Sequence, residues 1–117
     1  MSTQIGRQAE DAASRYLARR GYEILSRNVR LGRGEIDIVA RRQDILAFVE
    51  VKKRNSREEG MLAMHKDKCT RLVSAATAYI GCHPKLAQLQ SRFDLIILTP
   101  GRLRTKIEHM QDVIQIT

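Results

Sequence analysis

The chain of 117 residues carries 21 Lys and Arg against 13 Asp and Glu, a formal net charge of +8, with 43% hydrophobic and 29% charged residues. That length suits one domain over residues 1–117, and no apolar run approaches the roughly 20 residues that cross a bilayer. The surplus of basic groups predicts a polyanionic partner, nucleic acid first; a basic surface that only maintains solubility is the plainer alternative. The first twenty residues lack the apolar core of a secretory signal, and Glu10 and Asp11 count against a transit peptide, so a cytoplasmic protein is expected. Cys69 and Cys82, like His65, His83 and His109, match no zinc spacing.

In chain order, Ile5, Ala9, Ala12, Ala13, Tyr16 and Leu17 follow helical spacing, predicting a helix over residues 4–20 with Ser2 or Thr3 as its cap and Gly21 as its stop. Glu10 lies at the edge of the apolar stripe and Asp11 on the side facing water. A strand over 22–30 and an LGRG turn follow. In the next strand Glu35, Asp37 and Val39 should share one face and Ile36, Ile38 and Ala40 the other; in the strand after it, Leu46, Phe48, Glu50 and Lys52 share a face opposite Ile45, Ala47, Val49 and Val51. An even-numbered loop, Arg42 and Gln43 alone or all four residues of 41–44, sets Asp37 opposite Phe48 and diagonal to Glu50, so that Asp37, Glu50 and Lys52 emerge together; an odd one without a bulge separates them.

RNSREEG reads as a mobile polar link. Leu62, Cys69, Leu72, Val73, Ala76 and Ile80 then predict a second helix ending near Gly81, with Lys68 at the margin of its apolar stripe and Arg71 well away from it. Residues 92–100 read as an interior strand, and Pro100 with Gly101 turns the chain into a last strand from Leu103 to His109. The expected order is αβββαββ, an α/β fold.

Charges inside the hairpin need a reason, because an unpaired buried carboxylate costs several kcal/mol or takes up a proton. Asp37, Glu50 and Lys52 form the set that a magnesium-dependent phosphodiesterase uses. Mg²⁺ prefers hard oxygen ligands and retains several waters, so two carboxylates and a phosphate oxygen suit it. A nearby ammonium orients water or offsets charge that grows in the transition state. The competing reading pairs Glu50 and Lys52 with neighbouring charges on a solvated face. Leu46 and Phe48 on the charged face, Glu10 approaching from the helix and the basic surroundings favour the catalytic reading. Glu35 is either a further ligand or, more simply, an ion pair with Arg33.

GEID at 34–37 followed by FVEVK at 48–52 resembles the YraN-type family of bacterial proteins, grouped with the PD-(D/E)XK nuclease superfamily and similar to archaeal Holliday junction resolvases. The likeness takes in Glu10, Tyr16-Leu17, Gly21-Tyr22, Asn28, Lys68, Arg71-Leu72 and Arg92-Phe93-Asp94. Lys53 stands where a small or hydroxyl residue is expected, and residues 55–65 match poorly apart from Gly60. The resemblance implies a restriction-endonuclease-like core with a mixed central sheet flanked by helices, metal ligands at Asp37 and Glu50, a catalytic Lys52, and Glu10 as an assisting carboxylate. It further implies Mg²⁺ or Mn²⁺ as cofactor and DNA, branched or otherwise structured, as substrate, with a homodimer matching paired strands. Arg33, Arg41, Arg42, Lys53, Arg54, Lys68 and Arg71 are the expected backbone contacts. The alternatives are an inactive nucleic-acid-binding module of the same fold and a basic α/β interaction domain without nucleic acid.

Overall fold

The computed structural model describes residues 4–114 and, from residue 6 onward, their side chains. The cap expected at Ser2 or Thr3 and the side chain of Ile5 lie outside the described residues. Helix α1 (Gln4–Arg19) is followed by strands β1 (Glu23–Leu31), β2 (Gly34–Arg42) and β3 (Ile45–Lys53), then α2 (Arg57–Leu62), α3 (Lys66–Cys82), a 3₁₀ turn (Pro84–Gln88), β4 (Gln90–Thr99) and β5 (Lys106–Met110). The strands form one sheet in the order β1-β2-β3-β4-β5. Only β3 and β4 run parallel, joined by the crossover that contains α2 and α3; the other neighbours are antiparallel. The fold is mixed α/β.

The helices cover opposite faces of the sheet. Ala9, Ala13 and Leu17 of α1 pack on Ile38, Ala40, Ala47, Val49, Ile96 and Leu98. Leu72, Ala75, Ala76 and Tyr79 of α3 pack on Ile36, Val39, Leu46, Phe48 and Phe93. Phe48, Ile36, Ile38 and Leu46 are fully buried, each burial contributing about 1.5–3 kcal/mol. β3 and β4 are apolar on both faces because both are covered.

Several expectations are corrected. The link RNSREEG is folded: Ser56 Oγ accepts the Glu59 N–H at 3.1 Å while Glu59 Oε2 accepts the Asn55 N–H at 3.2 Å, a reciprocal cap that opens α2. α2 lies tight against the sheet, since a Cβ at Gly60 would sit 2.7 Å from Ile97. The second helix is therefore two helices, and the last strand begins at Lys106 rather than Leu103.

The hairpin between β2 and β3 closes on Gln43 and Asp44, with Arg42 paired to Ile45 and Gln43 at φ 55°. The loop is even-numbered but sits one residue later than expected, so Phe48 lies opposite Val39 instead of Asp37. β2 also turns over along its length. Ile36 packs on the α3 side and Ile38 on the α1 side, so the expected single face for Ile36, Ile38 and Ala40 does not hold. The cause lies in the neighbouring strand, where a bulge falls between Ile24 and Ser26 and Asn28 takes φ 54°; Arg27 and Val29, on either side of Asn28, pair with Ile38 and Ile36, on either side of Asp37.

Candidate functional site

The turn-over in β2 opens the site. Paired positions between β2 and β3 run from Arg42–Ile45 to Ile38–Val49 and stop there, while β3 continues beside β4 to Lys53. The two strands diverge beyond Ile38. In the opening, Asp37 Oδ2 accepts the Val51 N–H at 2.7 Å, a carboxylate in place of the lost ladder bond. Glu50 is 2% exposed, and its Oε1 receives two ammonium groups, Lys52 at 3.0 Å and Lys68 of α3 at 3.1 Å. Its Oε2 is buried without a hydrogen-bond partner among the described residues. The resulting cleft, about 280 Å³, is lined by Glu10, Glu35, Asp37, Glu50, Lys52 and Lys68, among others.

Glu10 reaches this cleft from α1, buried as its place at the stripe's edge implied, while Asp11 faces solvent and accepts from Arg27 at 2.7 Å. Glu10 hydrogen-bonds Asn28, the residue at the bend of β1, and its Oε1 stands 3.8 Å from Arg27 with no hydrogen bond among the described residues. Burial raises its pKa, partly offset by Asn28 and Arg27. Asp37 is displaced much further, from the ordinary 3.8 to about 7. Burial and the Glu50 charge push it up, Glu10 adds to this, and the Val51 N–H and Lys52 only partly counter them. The ammonium of Lys68 is held above its usual range: burial lowers it, but Glu50 outweighs that by charge and hydrogen bond.

This arrangement has a measurable consequence in the absence of metal. Asp37 binds a proton more tightly folded than unfolded, so its contribution to stability is complete below pH 4 and is lost as pH rises towards 7. The urea midpoint in EDTA should therefore fall from pH 5 to pH 8, and Asp37→Asn should flatten that slope. A midpoint that rises over the same interval would contradict the assigned environment.

Among the described residues no three His, Cys, Asp or Glu side chains form a compact ligand group. A divalent cation would have to be held by the pair Asp37 and Glu50, with Glu10 assisting from outside. The pair fits this role chemically, being hard oxygen donors of which one, Glu50 Oε2, is buried and unpartnered, beside an acid whose ionisation is resisted by its neighbours. Glu35 pairs with Arg30 at 3.5 Å, not with Arg33, because Arg30 stands directly across the ladder from it.

The basic residues divide. Lys53, Arg54 and Lys68 line the cleft, and Arg33 and Arg71 lie beside it, lining a neighbouring depression that shares Glu35 and Lys68 with it. Arg41 and Arg42 sit at the far end of β2, about 13–17 Å along the strand from Asp37. Arg42 instead stacks on Tyr22, 4.7 Å from the ring centre.

One buried group carried no expected role. Asp94, fully buried, accepts from Arg92 Nη2 at 2.8 Å and Nε at 2.9 Å and from the Asp112 N–H at 3.1 Å, with His109 Nε2 at 2.8 Å; Arg92 also donates to the Tyr22 hydroxyl. Burial would raise this carboxyl, but the bonds from His109, Arg92 and Asp112 outweigh it and hold the pKa below the ordinary range. The network lies on β4 and β5 outside the cleft and ties the segment after β5 to the sheet.

Residues 9–98 match the uncharacterised protein family UPF0102. The chain belongs to that family. UPF0102 proteins similar to it include one from Nitrobacter winogradskyi, 44% identical over 98 residues, covering 84% of this chain and 83% of that protein. Another, from Roseiflexus castenholzii, is 42% identical over 113 residues, 92% of this chain and 90% of the relative. A third, from Bradyrhizobium diazoefficiens, is 41% identical over 100 residues, 86% and 75% of the two chains. The matched UPF0102 region runs from α1 to β4 and contains Glu10, Asp37, Glu50, Lys52 and Lys68.

Proposed function

We propose that this UPF0102 chain is a divalent-metal-dependent DNA endonuclease of the PD-(D/E)XK kind, with a restriction-endonuclease-like core. The observation that carries the reading is the diverging β2–β3 pair. It leaves Asp37 half-buried at a pKa of about 7 beside Glu50, whose second oxygen is buried and unpartnered among the described residues, with Lys52 at the same carboxylate. A protein selected only for stability has little use for two like charges in one wedge.

Bound between Asp37 and Glu50, Mg²⁺ or Mn²⁺ would polarise the phosphate and lower the pKa of a water. Lys52, two residues beyond Glu50 on the rim of β3, holds an ammonium where it can orient the attacking water or offset charge on the phosphate oxygens. Val51 N–H keeps Asp37 aimed into the cleft. Lys53, Arg54 and Lys68 supply the field that attracts a phosphodiester backbone. A branched DNA substrate and a two-fold dimer rest on the resemblance to junction resolvases, and sedimentation with and without a four-way junction tests both.

The same geometry gives a second reading some support. Two lysines already satisfy Glu50 Oε1, so the wedge can be neutralised without a cation, as in a DNA-binding module that has lost its chemistry. Thermal denaturation separates the two. A cation that binds only the folded state raises the melting temperature by mass action, about 2.7 kcal/mol at 100 times Kd. Mn²⁺ is expected to stabilise the wild type and to have little effect on Glu50→Ala. In parallel, cleavage of linear, nicked and branched DNA should require Mg²⁺ or Mn²⁺ and vanish in Glu50→Ala. Absence of any metal-dependent shift or cleavage favours the inactive module.

A further inference from the structure

Beside the cleft lies a second depression of about 370 Å³, lined by Arg30, Arg33, Glu35, Lys68 and Arg71 together with Gly32 and Gly34. It shares Lys68 and Glu35 with the cleft, so the two are contiguous. Its walls come from two elements pressed together. The β1–β2 turn touches α3 so closely that a Cβ on Gly34 would lie 2.1 Å from the Arg71 carbonyl oxygen. One residue earlier the Arg33 N–H donates to Ser74 Oγ at 3.4 Å, and Gly32, at φ 58°, would bring a Cβ to 3.1 Å from the same hydroxyl. Two glycines thus allow the contact that sets Arg33 beside Arg71.

The charges of this depression are poorly balanced. Glu35 is occupied by Arg30 at 3.5 Å. Arg33 and Arg71 have no ion pair among the described residues; Asp67, which lines the adjoining hollow with both, stands beyond pairing distance. Two guanidinium side chains that line the same hollow without a carboxylate partner among the described residues leave it cationic, and an anion with several acceptor oxygens matches their donors. Lys68 stands on the wall between the two hollows with its ammonium on Glu50, in reach of both.

We propose that Arg33 and Arg71, with Lys68 at the boundary, form a phosphate subsite that takes the backbone phosphate next to the one in the cleft. This deepens the nuclease reading and rests on it for the role of the cleft. The subsite assigns a course to the bound strand: it passes from the Asp37–Glu50 wedge across the start of β2 and over the first half of α3. The phosphate bound there is either an internal diester or a terminal monoester, and the monoester carries nearly twice the charge.

The test uses equilibrium binding of short single-stranded and duplex oligonucleotides in EDTA, where no cleavage intervenes, to the full-length wild type and to R33Q/R71Q. Both arginines are exposed, so the fold should be retained, and an unchanged Mn²⁺-induced melting shift checks that the cleft is intact. The variant is expected to bind about tenfold more weakly, with a log–log salt slope shallower by about 1, the contribution of one phosphate. A neutral methylphosphonate walked along the oligonucleotide should weaken wild-type binding at one position near the cut and have no effect there in R33Q/R71Q. Loss on removing a 5′- or 3′-terminal phosphate, in place of an internal position, assigns the subsite to strand ends. Equal affinity and equal slope in the two proteins overturn the subsite while leaving the nuclease reading to its own cleavage test. A wild type that binds no oligonucleotide overturns the subsite as well. Binding without cleavage overturns the nuclease reading and leaves the subsite to the arginine comparison.

Discussion

Asp37→Asn should lower metal-dependent DNA cleavage by at least about 100-fold, while the metal-free protein becomes as stable as the wild type or more so. The two halves have one origin. Asp37 ionises only near pH 7 because burial, Glu50 and Glu10 all oppose its charge. At pH 8 the wild type carries that charge against its environment. Asparagine keeps an oxygen for the Val51 N–H, now 2.7 Å from the carboxylate, and discards the repulsion; a gain of about 1–2 kcal/mol at pH 8 is the right order for a like-charge pair partly screened by Lys52. The same change removes one of two anionic donors from a cation, for which losses of this size are expected. Cleavage assays with Mn²⁺ and urea titrations in EDTA read the two halves separately. Cleavage at the wild-type rate by the asparagine variant would remove Asp37 from the chemistry. A marked loss of stability would mean that the carboxylate is structural.

Asp94→Ala should have the larger effect on folding, costing about 3–5 kcal/mol. Breaking one side of a buried, hydrogen-bonded ion pair leaves its partner uncompensated. Here Arg92 loses all its bonds to the carboxylate, and His109 and the Asp112 N–H lose theirs. For a chain of 117 residues this corresponds to a fall of roughly 10 °C or more in melting temperature. Asp94→Asn retains acceptor capacity and should cost less. Since Asp94 stands outside the cleft, Mn²⁺ should still stabilise the folded variant at low temperature; loss of that response would link the network to the cation site. A melting temperature unchanged in Asp94→Ala would refute the assignment of the network as a structural anchor.

The alternation Phe48, Glu50, Lys52 was legible from sequence because period-two geometry is local and β3 keeps an unbroken register with β4. Glu10 was legible for a similar reason, its angle on the α1 wheel. The reversal at Asp37 was not, since it is imposed by Asn28 across the ladder, and nothing in GEID itself signals a bend. The exact hairpin register was hidden because Gln43 adopts a left-handed conformation usually marked by Gly or Asn. The reciprocal cap of α2 had a readable signature, Ser56 three residues before Glu59, within a stretch whose polarity suggested a link. The Asp94 network could not be read locally, for it joins Tyr22, Arg92, His109 and Asp112 through pairings that only the completed sheet creates. Sequence located the acidic and basic triplet; which cations stand free of it depended on how β1–β2 meets α3.

Asp37 Oδ2 stands in for a backbone carbonyl at the Val51 amide. That amide is therefore a resident spectroscopic probe: its proton resonance should move with the ionisation of one side chain and should shift again when a cation draws the oxygen away. A single cross-peak, followed through a pH titration and then a manganese-free magnesium titration, would show proton and cation competing for the same atom.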